Sequence, residues 1–178
     1  MNPSLEPQRL RQAFGKFATG VTIVTAADAD GRAVGVTANS FSSLSLDPPL
    51  LLWSIGRNSS SYRVFQQTGH FAVHVLDQTQ TALSQRFSAR GVNRFEGVPI
   101  EPGPGGCPLL PDYHVRFECS VSERHEGGDH LIMVGRILNV EQRPGSPLLF
   151  YGGRLARLHD AVDAAAASTG AAAPEHAA

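Results

Sequence analysis

Hydrophobic and polar residues alternate with a period of two over much of the chain, which is the pattern of half-buried β-strands. The clearest case is residues 113–122. One face of this segment carries Tyr113, Val115, Phe117, Cys119 and Val121. Further strands are predicted at residues 21–26, 33–38, 50–55, 70–76, 131–140 and 148–151. Residues 50–55 are apolar throughout, which predicts burial on both faces. Residues 131–140 are apolar on both faces too, as in a strand at the centre of a sheet or at a subunit interface.

Short helices and loops separate these strands. Leu10, Phe14 and Phe17 recur at i, i+4 and i+7, which predicts an amphipathic helix over residues 5–18 that stops at Thr19-Gly20. Two more short helices are predicted near residues 61–67 and 78–87. Loops are predicted at residues 39–49, which are polar, at residues 90–106, which are rich in Gly and Pro, and at residues 123–129.

The sum is six or more strands with two or three short helices, a mainly β fold. Their spacing favours an antiparallel barrel with helical crossovers over a doubly wound parallel sheet. No G-x-G-x-x-G follows a strand, so the usual dinucleotide fold is not supported. We expect one domain over residues 1–158. The alanine-rich residues 159–178 have no apolar face to pack, which predicts a disordered tail.

Charge and composition narrow the classes of partner. The 178 residues carry a formal net charge of −1, so a surface for nucleic acid or an anionic membrane is not expected. No apolar run approaches the ~20 residues that span a bilayer. The N-terminus has no basic or apolar signal region, and the two cysteines form no framework, so a cytoplasmic protein is expected.

Several polar segments are candidates for chemistry. His70 and His74 share a strand face but lie ~13 Å apart along it, too far to bind one metal ion, and no metal site is expected. His130 follows a Gly-Gly-Asp turn and is either a solvated turn residue or a functional one. No Ser lies in a G-x-S-x-G motif, which leaves nucleophilic catalysis unsupported.

Two further segments suit a ligand. Residues 57–61, Arg-Asn-Ser-Ser-Ser, begin a predicted helix, where free N–H groups attract an anion, and Arg86 could add charge. The same residues are equally consistent with a capped helix and a surface arginine. The uncharged segment Thr37-Ala38-Asn39-Ser40 follows a strand and suits a neutral polar ligand.

The order of the motifs resembles one known family. The segments are Thr19-Gly20-Val21-Thr22-Ile23-Val24-Thr25 after Phe14, Gly35-Val36-Thr37-Ala38-Asn39-Ser40-Phe41, Asp47-Pro48-Pro49-Leu50, Gly69-His70-Phe71-Ala72-Val73, Gly128-Asp129-His130 and Tyr151-Gly152-Gly153-Arg154. From about Leu10 to Leu158 the chain is similar to the short-chain flavin reductases, the reductase components of two-component flavin monooxygenases.

The resemblance implies an antiparallel split β-barrel that binds flavin, usually as a homodimer. It implies that Thr37, Ala38, Asn39 and Ser40 lie against the flavin ring, with Ser54 and Ile55 beside them. The flavin phosphate is expected near Ser59, Ser60 and Ser61 and near the Arg86-Phe87-Ser88 element. Asp129 and His130 match the element beside the nicotinamide, and Tyr151 and Arg154 match an element near the same site.

The implied activity is that of an NAD(P)H:flavin oxidoreductase. A hydride passes from the nicotinamide to FMN or FAD, and the reduced flavin goes to a partner flavin-dependent monooxygenase. Because the cofactors carry this chemistry, no catalytic base is needed, and His130 is expected to position the nicotinamide. The choices between FMN and FAD and between NADH and NADPH stay open. The alternatives are an electron-transfer or sensor module that holds FMN tightly, and an FMN-dependent oxidase or oxygenase.

Overall fold

The computed structural model describes residues 6–158, so the prediction for residues 159–178 lies outside the described residues. The helices are α1 (Pro7–Phe14), α2 (Tyr62–Gln67) and α3 (Thr81–Ser88), with a 3₁₀ turn at Pro104–Gly106. The strands are β1 (Thr19–Gly20), β2 (Thr22–Ala27), β3 (Ala33–Ala38), β4 (Ser42–Leu46), β5 (Pro49–Gly56), β6 (His70–Val75), β7 (Glu101–Pro102), β8 (Pro108–Leu109), β9 (Val115–Gly127), β10 (His130–Gln142), β11 (Leu148–Tyr151) and β12 (Arg154–Arg157).

Seven strands form the main sheet, in the order β3-β2-β6-β9-β10-β5-β4, and all neighbours are antiparallel. The sheet curls around one core but does not close, which confirms the predicted antiparallel split β-barrel. A smaller sheet, β1-β11-β12, lies beside it, and β7 pairs with β8. The main chain joins the two larger sheets, since Leu148 N–H donates to Leu76 O (2.8 Å) and Val21 N–H donates to Leu148 O (3.0 Å).

Two apolar clusters hold these sheets together. Inside the barrel, the ring of Trp53 meets Phe65 edge-on at 4.8 Å and Phe71 at 6.0 Å. A second cluster contains Phe87 and Leu148 and packs α3 and β11 against the main sheet. Burial of such large apolar side chains is the main favourable term in folding. The faces of the strands that point inward are therefore the faces that carry these two clusters.

Two predicted loops are strand in the structure. Ser42–Leu46 is β4, because its backbone pairs with β5 at the edge of the sheet and needs no apolar side chains to do so. Residues 123–127 continue β9, which forms a long hairpin with β10. Their side chains are polar because this end of the hairpin extends beyond the core into solvent.

Other differences concern burial and element ends. The predicted helix over residues 5–18 is shorter, and α1 buries no side chain; Phe14 is 73% exposed and Phe17 is 77% exposed. Thr19-Gly20, predicted as a helix stop, is β1. Strand β5 is buried on one face only, and Leu50 and Leu52 on its other face are half-buried. Strand β12 carried no clear signal, because only its pairing with β11 defines it.

Candidate functional site

Two clefts meet at the end of β3. The larger has a volume of about 530 Å³ and is lined by Val21, Thr37, Ala38, Asn39, Thr81, Ser84, Gln85, Ser88, Phe150, Gly153, Arg154 and Leu155. The smaller, of about 240 Å³, is lined by Val36, Thr37, Ala38, Asn39, Ser40, Trp53, Ser54, Ile55, Gly56, Asn58, Ser59 and His130. Thr37, Ala38 and Asn39 belong to both linings. The end of β3 is therefore a wall shared by the two clefts.

Hydroxyl groups on this wall are used to hold it in place. Thr37 Oγ1 donates to the carbonyl oxygen of Ser84 in α3 (2.7 Å). Ser40 Oγ donates to Ser54 O (3.0 Å) and accepts from Ser54 N–H (2.9 Å). Thr37 and Ser40 thus fasten the wall to α3 and β5, and the exposed side chain of Asn39 remains available to a ligand.

His130 is the first residue of β10 and lies opposite Gly56 of β5. Its Nδ1 is 2.7 Å from Asp129 Oδ1. Because an ionised carboxylate can only accept, Nδ1 carries the proton, and in the neutral ring Nε2 is an acceptor. This hydrogen bond is the main reason that the pKa of Asp129 lies below its ordinary value. The half-exposed ring lines the smaller cleft beside Ser54 and Ser59.

Arg57 positions the turn that carries His130. Its backbone N–H donates to Asp129 O (2.9 Å) and its Nε donates to Gly128 O (3.3 Å). Its guanidinium also pairs with Glu126 on β9 and lies over the ring of Tyr62. With these contacts, Arg57 joins the turn after β5 to the β9–β10 turn. An ion pair with Glu126 competes with the anion-binding role considered for residues 57–61.

The three serines after Arg57 are divided between two clefts. Ser59 lines the smaller cleft with His130. Ser60 and Ser61 line a further cleft of about 260 Å³ on the other side of the turn, where Arg94 is the charged residue. Ser61 is only 5% exposed, and its Oγ accepts from Arg94 Nη1 (3.4 Å).

Arg94 was missed by the sequence reasoning. Its Nη1 donates to Gly35 O on β3 (2.7 Å), and its Nε (3.1 Å) and Nη2 (2.8 Å) donate to Ala89 O after α3. Burial lowers its pKa from the usual arginine value. Arg94 lies in a glycine-rich loop without periodicity, so no local pattern could have distinguished it from a surface arginine.

The Arg86-Phe87-Ser88 element splits into three environments. Ser88 lines the larger cleft. Arg86 is exposed and donates to Glu96 O (2.7 Å), away from the lining of both clefts. Phe87 is fully buried and packs edge-on against Phe95 at 4.9 Å, a location that does not fit direct contact with a bound cofactor. Consecutive residues of a helix point in different directions, so they rarely share one site.

A tight turn joins β11 and β12 at the other end of the larger cleft. Gly152 and Gly153 both have positive φ (60° and 79°), as a two-residue hairpin turn requires. Arg154 follows the turn and lines the larger cleft, whereas Tyr151 is half-exposed and lies outside its lining.

The residues fit a planar, mostly uncharged ring. The larger cleft has a volume typical of ligand sites, and Arg154 is the one charged residue in its lining. Its wall at residues 37–39 is short, uncharged and held by hydrogen bonds, so it can lie flat against a ring. Trp53 lines the smaller cleft, and its buried Nε1 has no partner among residues 6–158.

Within residues 6–158, no helix is long and apolar enough to cross a membrane.

An antiparallel split barrel with a ring-sized cleft and an adjoining histidine defines a class of cofactor-binding β-proteins. Residues 14–159 match the family model of the flavin reductase like domain. The FMN reductase (NADH) SmoA of Agrobacterium fabrum is 46% identical over 147 residues, 83% of this chain and 83% of that protein. The monooxygenase reductase subunit HsaB of Rhodococcus jostii is 38% identical over 152 residues, 85% of this chain and 77% of that protein.

A solved structure gives the same result. The NADH:FAD oxidoreductase SgcE6 of Streptomyces globisporus, in complex with NAD and FAD fragments, superposes with a TM-score of 0.82 and 34% identity, covering 89% of this chain and 96% of that chain. Two relatives from Rhizobium meliloti are longer, and the chain spans only 44% and 57% of their lengths. The chain belongs to the flavin reductase like family.

Proposed function

We propose that this protein uses NADH to reduce an exchangeable flavin, FMN or FAD, and passes it to a partner flavin-dependent monooxygenase. Its class, an NAD(P)H-dependent flavin reductase, follows from its family. The observation that carries the proposal is the pair of clefts that share the wall at residues 37–39, with His130, hydrogen-bonded to Asp129, lining the smaller one. Two rings that exchange a hydride need adjoining sites.

Each part of the site then has a role. Thr37, Ala38, Asn39 and Ser40 would form the wall against the flavin ring, with Ser54 and Ile55 beside it. Ser88 and Arg154 would contact the flavin from the larger cleft. Ser60 and Ser61, which line one cleft with Arg94, would hold its anionic end, whereas Ser59 lies in the smaller cleft with His130. When bound, the flavin supplies the hydride-accepting ring, and the chain orients it.

His130 would position the nicotinamide. Asp129 fixes the proton of the imidazole on Nδ1, and Arg57 holds the backbone of the turn. Nε2 is then a hydrogen-bond acceptor, which suits the N–H groups of a carboxamide. For Tyr151, a position near the nicotinamide rests on the family resemblance alone.

The names of the relatives support NADH and a partner enzyme. SmoA is named for FMN and NADH, SgcE6 for NADH and FAD, and HsaB is a reductase subunit of a flavin-dependent monooxygenase. An open cleft of short side chains is compatible with release of the reduced flavin. The cytoplasm, where NADH is available, is the proposed location.

We also propose a homodimer. Apolar side chains are exposed on three elements: Phe14 on α1, Leu44 and Leu46 (96%) on β4, and Leu138 (52%) and Val140 on β10. Leu46 and Leu138 lie at the same end of the sheet, because β4 and β10 both pair with the start of β5. Exposed leucines that lie together at one end of a sheet are typical of a subunit interface.

The basic test is turnover. Protein mixed with NADH and either FMN or FAD should consume NADH, followed by its absorbance, while the flavin exchanges freely on dialysis. Failure to turn over with either flavin and either nicotinamide would refute the reductase. Flavin that is retained on dialysis without NADH oxidation would instead indicate an electron-transfer or sensor module.

His130 can be tested with a matched histidine on the same hairpin. We expect His130→Ala to raise the KM for NADH about tenfold and the KM for flavin much less, because the loss of one oriented hydrogen bond costs roughly 1–2 kcal/mol. His125→Ala is the control, since His125 is exposed on β9 and its side chain pairs with Glu123. A larger change in the KM for flavin than in that for NADH would contradict the role of His130.

A further inference from the structure

Two turns meet at the smaller cleft. The serine turn, residues 57–61, follows β5 and leads into α2, and the histidine turn, residues 127–130, joins β9 to β10. Gly56, just before the serine turn, pairs with His130 at the end of the histidine turn. A Cβ at Gly56 would lie 3.1 Å from Asn58 Oδ1 and 3.5 Å from His130 Nε2. The imidazole and the first part of the serine turn are therefore packed around the same glycine.

Arg57 links the two turns through both its backbone and its side chain. Its N–H donates to Asp129 O (2.9 Å), and its Nε donates to Gly128 O (3.3 Å). Its guanidinium also pairs with Glu126 on β9, and Nη1 donates to Tyr62 Oη (3.2 Å) at the start of α2. One side chain thus contacts the residue that follows the serine turn, the histidine turn and the strand that leads into the histidine turn.

The serine turn is closed by its own hydrogen bonds. Ser59 N–H donates to Gly56 O (3.0 Å), and Tyr62 N–H donates to Ser59 O (3.1 Å). Ser61 N–H donates to Ser59 Oγ (3.3 Å). Ser61 is only 5% exposed, and its Oγ accepts from Arg94. A group that binds the far end of this turn therefore also restrains the backbone of its first residue.

The histidine turn lies outside the core. Residues 122–130 are all exposed, so hydrogen bonds rather than apolar packing fix the position of this segment. These bonds include the pairing of β10 with β5 and the contacts of Arg57. Ordering a segment of this kind costs free energy when a ligand binds to it. A ligand that already orders the serine turn lowers this cost for the second ligand, because both turns share Arg57.

We propose that Arg57 is a positioning residue that couples the two ligands, so that a flavin phosphate bound at Ser60 and Ser61 strengthens nicotinamide binding beside His130. The inference rests on the proposed function, which assigns these serines to the anionic end of the flavin and His130 to the nicotinamide. It adds a dependence of one site on the other that contact between the two rings does not supply. Coupling between two binding sites is reciprocal, so the dinucleotide must strengthen flavin binding by the same factor.

The test compares FMN with riboflavin, which has the same ring and no phosphate. Calorimetry measures the Kd of NAD⁺ for the protein saturated with either flavin; all three ligands are oxidised, so no hydride is transferred. We expect NAD⁺ to bind about fivefold more tightly with FMN than with riboflavin, a coupling of ordinary size. In Arg57→Gln the two flavins should give the same Kd, because the side-chain link between the turns is lost. Arg63→Gln, at an exposed arginine of α2, is the control and should keep the wild-type difference.

The ratio of the two Kd values separates coupling from stability, because a general loss of structure would weaken NAD⁺ binding with both flavins alike. Should Arg57→Gln fail to fold, Glu126→Gln replaces it; this variant removes the ion pair at an exposed position and should reduce the difference. Equal Kd values with both flavins in the wild type, or an undiminished difference in the folded variant, would overturn the inference and leave the reductase intact. A wild type that does not oxidise NADH would refute the proposed function itself.

Discussion

Gly35 lies on β3, two residues before the wall at residues 37–39, and packs against Phe87 of the second apolar cluster. A Cβ at this position would lie 2.6 Å from Phe87 Cε1 and 3.0 Å from Phe95 Cζ. Gly35→Ala is therefore expected to lower the free energy of unfolding by about 1–3 kcal/mol, measured by urea denaturation, because overpacking forces the rings apart. Gly69→Ala is the control, since its Cβ would meet nothing within 4 Å. Equal stability of the two variants would show that Phe87 is not a fixed part of the core.

His74 is a structural histidine with an expected effect on acid stability. Its Nε2 accepts from Leu110 N–H (3.0 Å) and its Nδ1 lies 3.2 Å from Ile23 O. Burial lowers the pKa of His74 from 6.5 to about 3. Between those values the unfolded chain binds a proton that the folded chain does not, so stability is complete above pH 6.5 and falls as the pH falls.

Between pH 7 and pH 5, this linkage should cost about 2 kcal/mol of unfolding free energy. His74→Gln cannot titrate, so its stability should fall less over the same interval, although it starts lower because the ring is lost. Urea denaturation at both pH values measures the difference. His125→Gln, at an exposed histidine, should behave like the wild type. Parallel pH profiles for His74→Gln and the wild type would contradict the assignment.

At the scale of elements, Arg94 joins segments that the sequence keeps far apart. It bonds β3 at Gly35, the end of α3 at Ala89 and the serine turn at Ser61. We expect Arg94→Gln to lose about 1–3 kcal/mol of stability, because partly buried carbonyl oxygens of Gly35 and Ala89 lose their donors, and to raise the KM for flavin more than that for NADH. Arg90→Gln is the control for charge, as Arg90 is exposed. Denaturation and steady-state kinetics measure both effects; an unchanged KM for flavin would limit Arg94 to a role in stability.

The elements that the sequence predicted best are interior strands with apolar residues at alternate positions. Strand β6 and the inner half of β9 were found by this alternation, although His74, Arg116 and Glu118 on their other faces are buried too. Strand β4 and the outer half of β9 were missed because backbone pairing forms them, and their side chains are mostly exposed rather than packed in the core. Pairing of the backbone with β11 likewise defines β12.

At the scale of the whole molecule, the exposed leucines predict assembly. The wild type should run in solution at twice the mass of one chain, measured by light scattering. Leu46→Asp with Leu138→Asp should shift it to one chain, because a buried charge at an apolar contact is costly. Val92→Asp is the control, since Val92 is a half-exposed apolar residue in the loop after α3, away from this end of the sheet. A wild type that is already monomeric would refute the dimer.

The candidate site shows how far sequence reaches at this scale. The order of the short motifs was sufficient to identify the family, because each motif consists of neighbouring residues and can be recognised without knowledge of tertiary contacts. Thr37 and Ser40 were predicted as residues of the ring site, but their hydroxyls turn out to be used in fastening the wall. Arg86 and Phe87 were predicted beside a phosphate, and neither lines a cleft of the proposed site.

The pattern of residues along the chain was sufficient for the β-rich class, for an antiparallel rather than a parallel arrangement and for the family, because periodicity and the order of motifs can be read without tertiary contacts. The order of the strands in the sheet and the polar groups that face a ligand follow from the folded structure, since a hydroxyl or guanidinium is free or engaged according to neighbours far along the chain. Arg94, held by Gly35 and Ala89, is the clearest case. Long-range contacts of this kind form only when the sheets pack, so no local pattern records them.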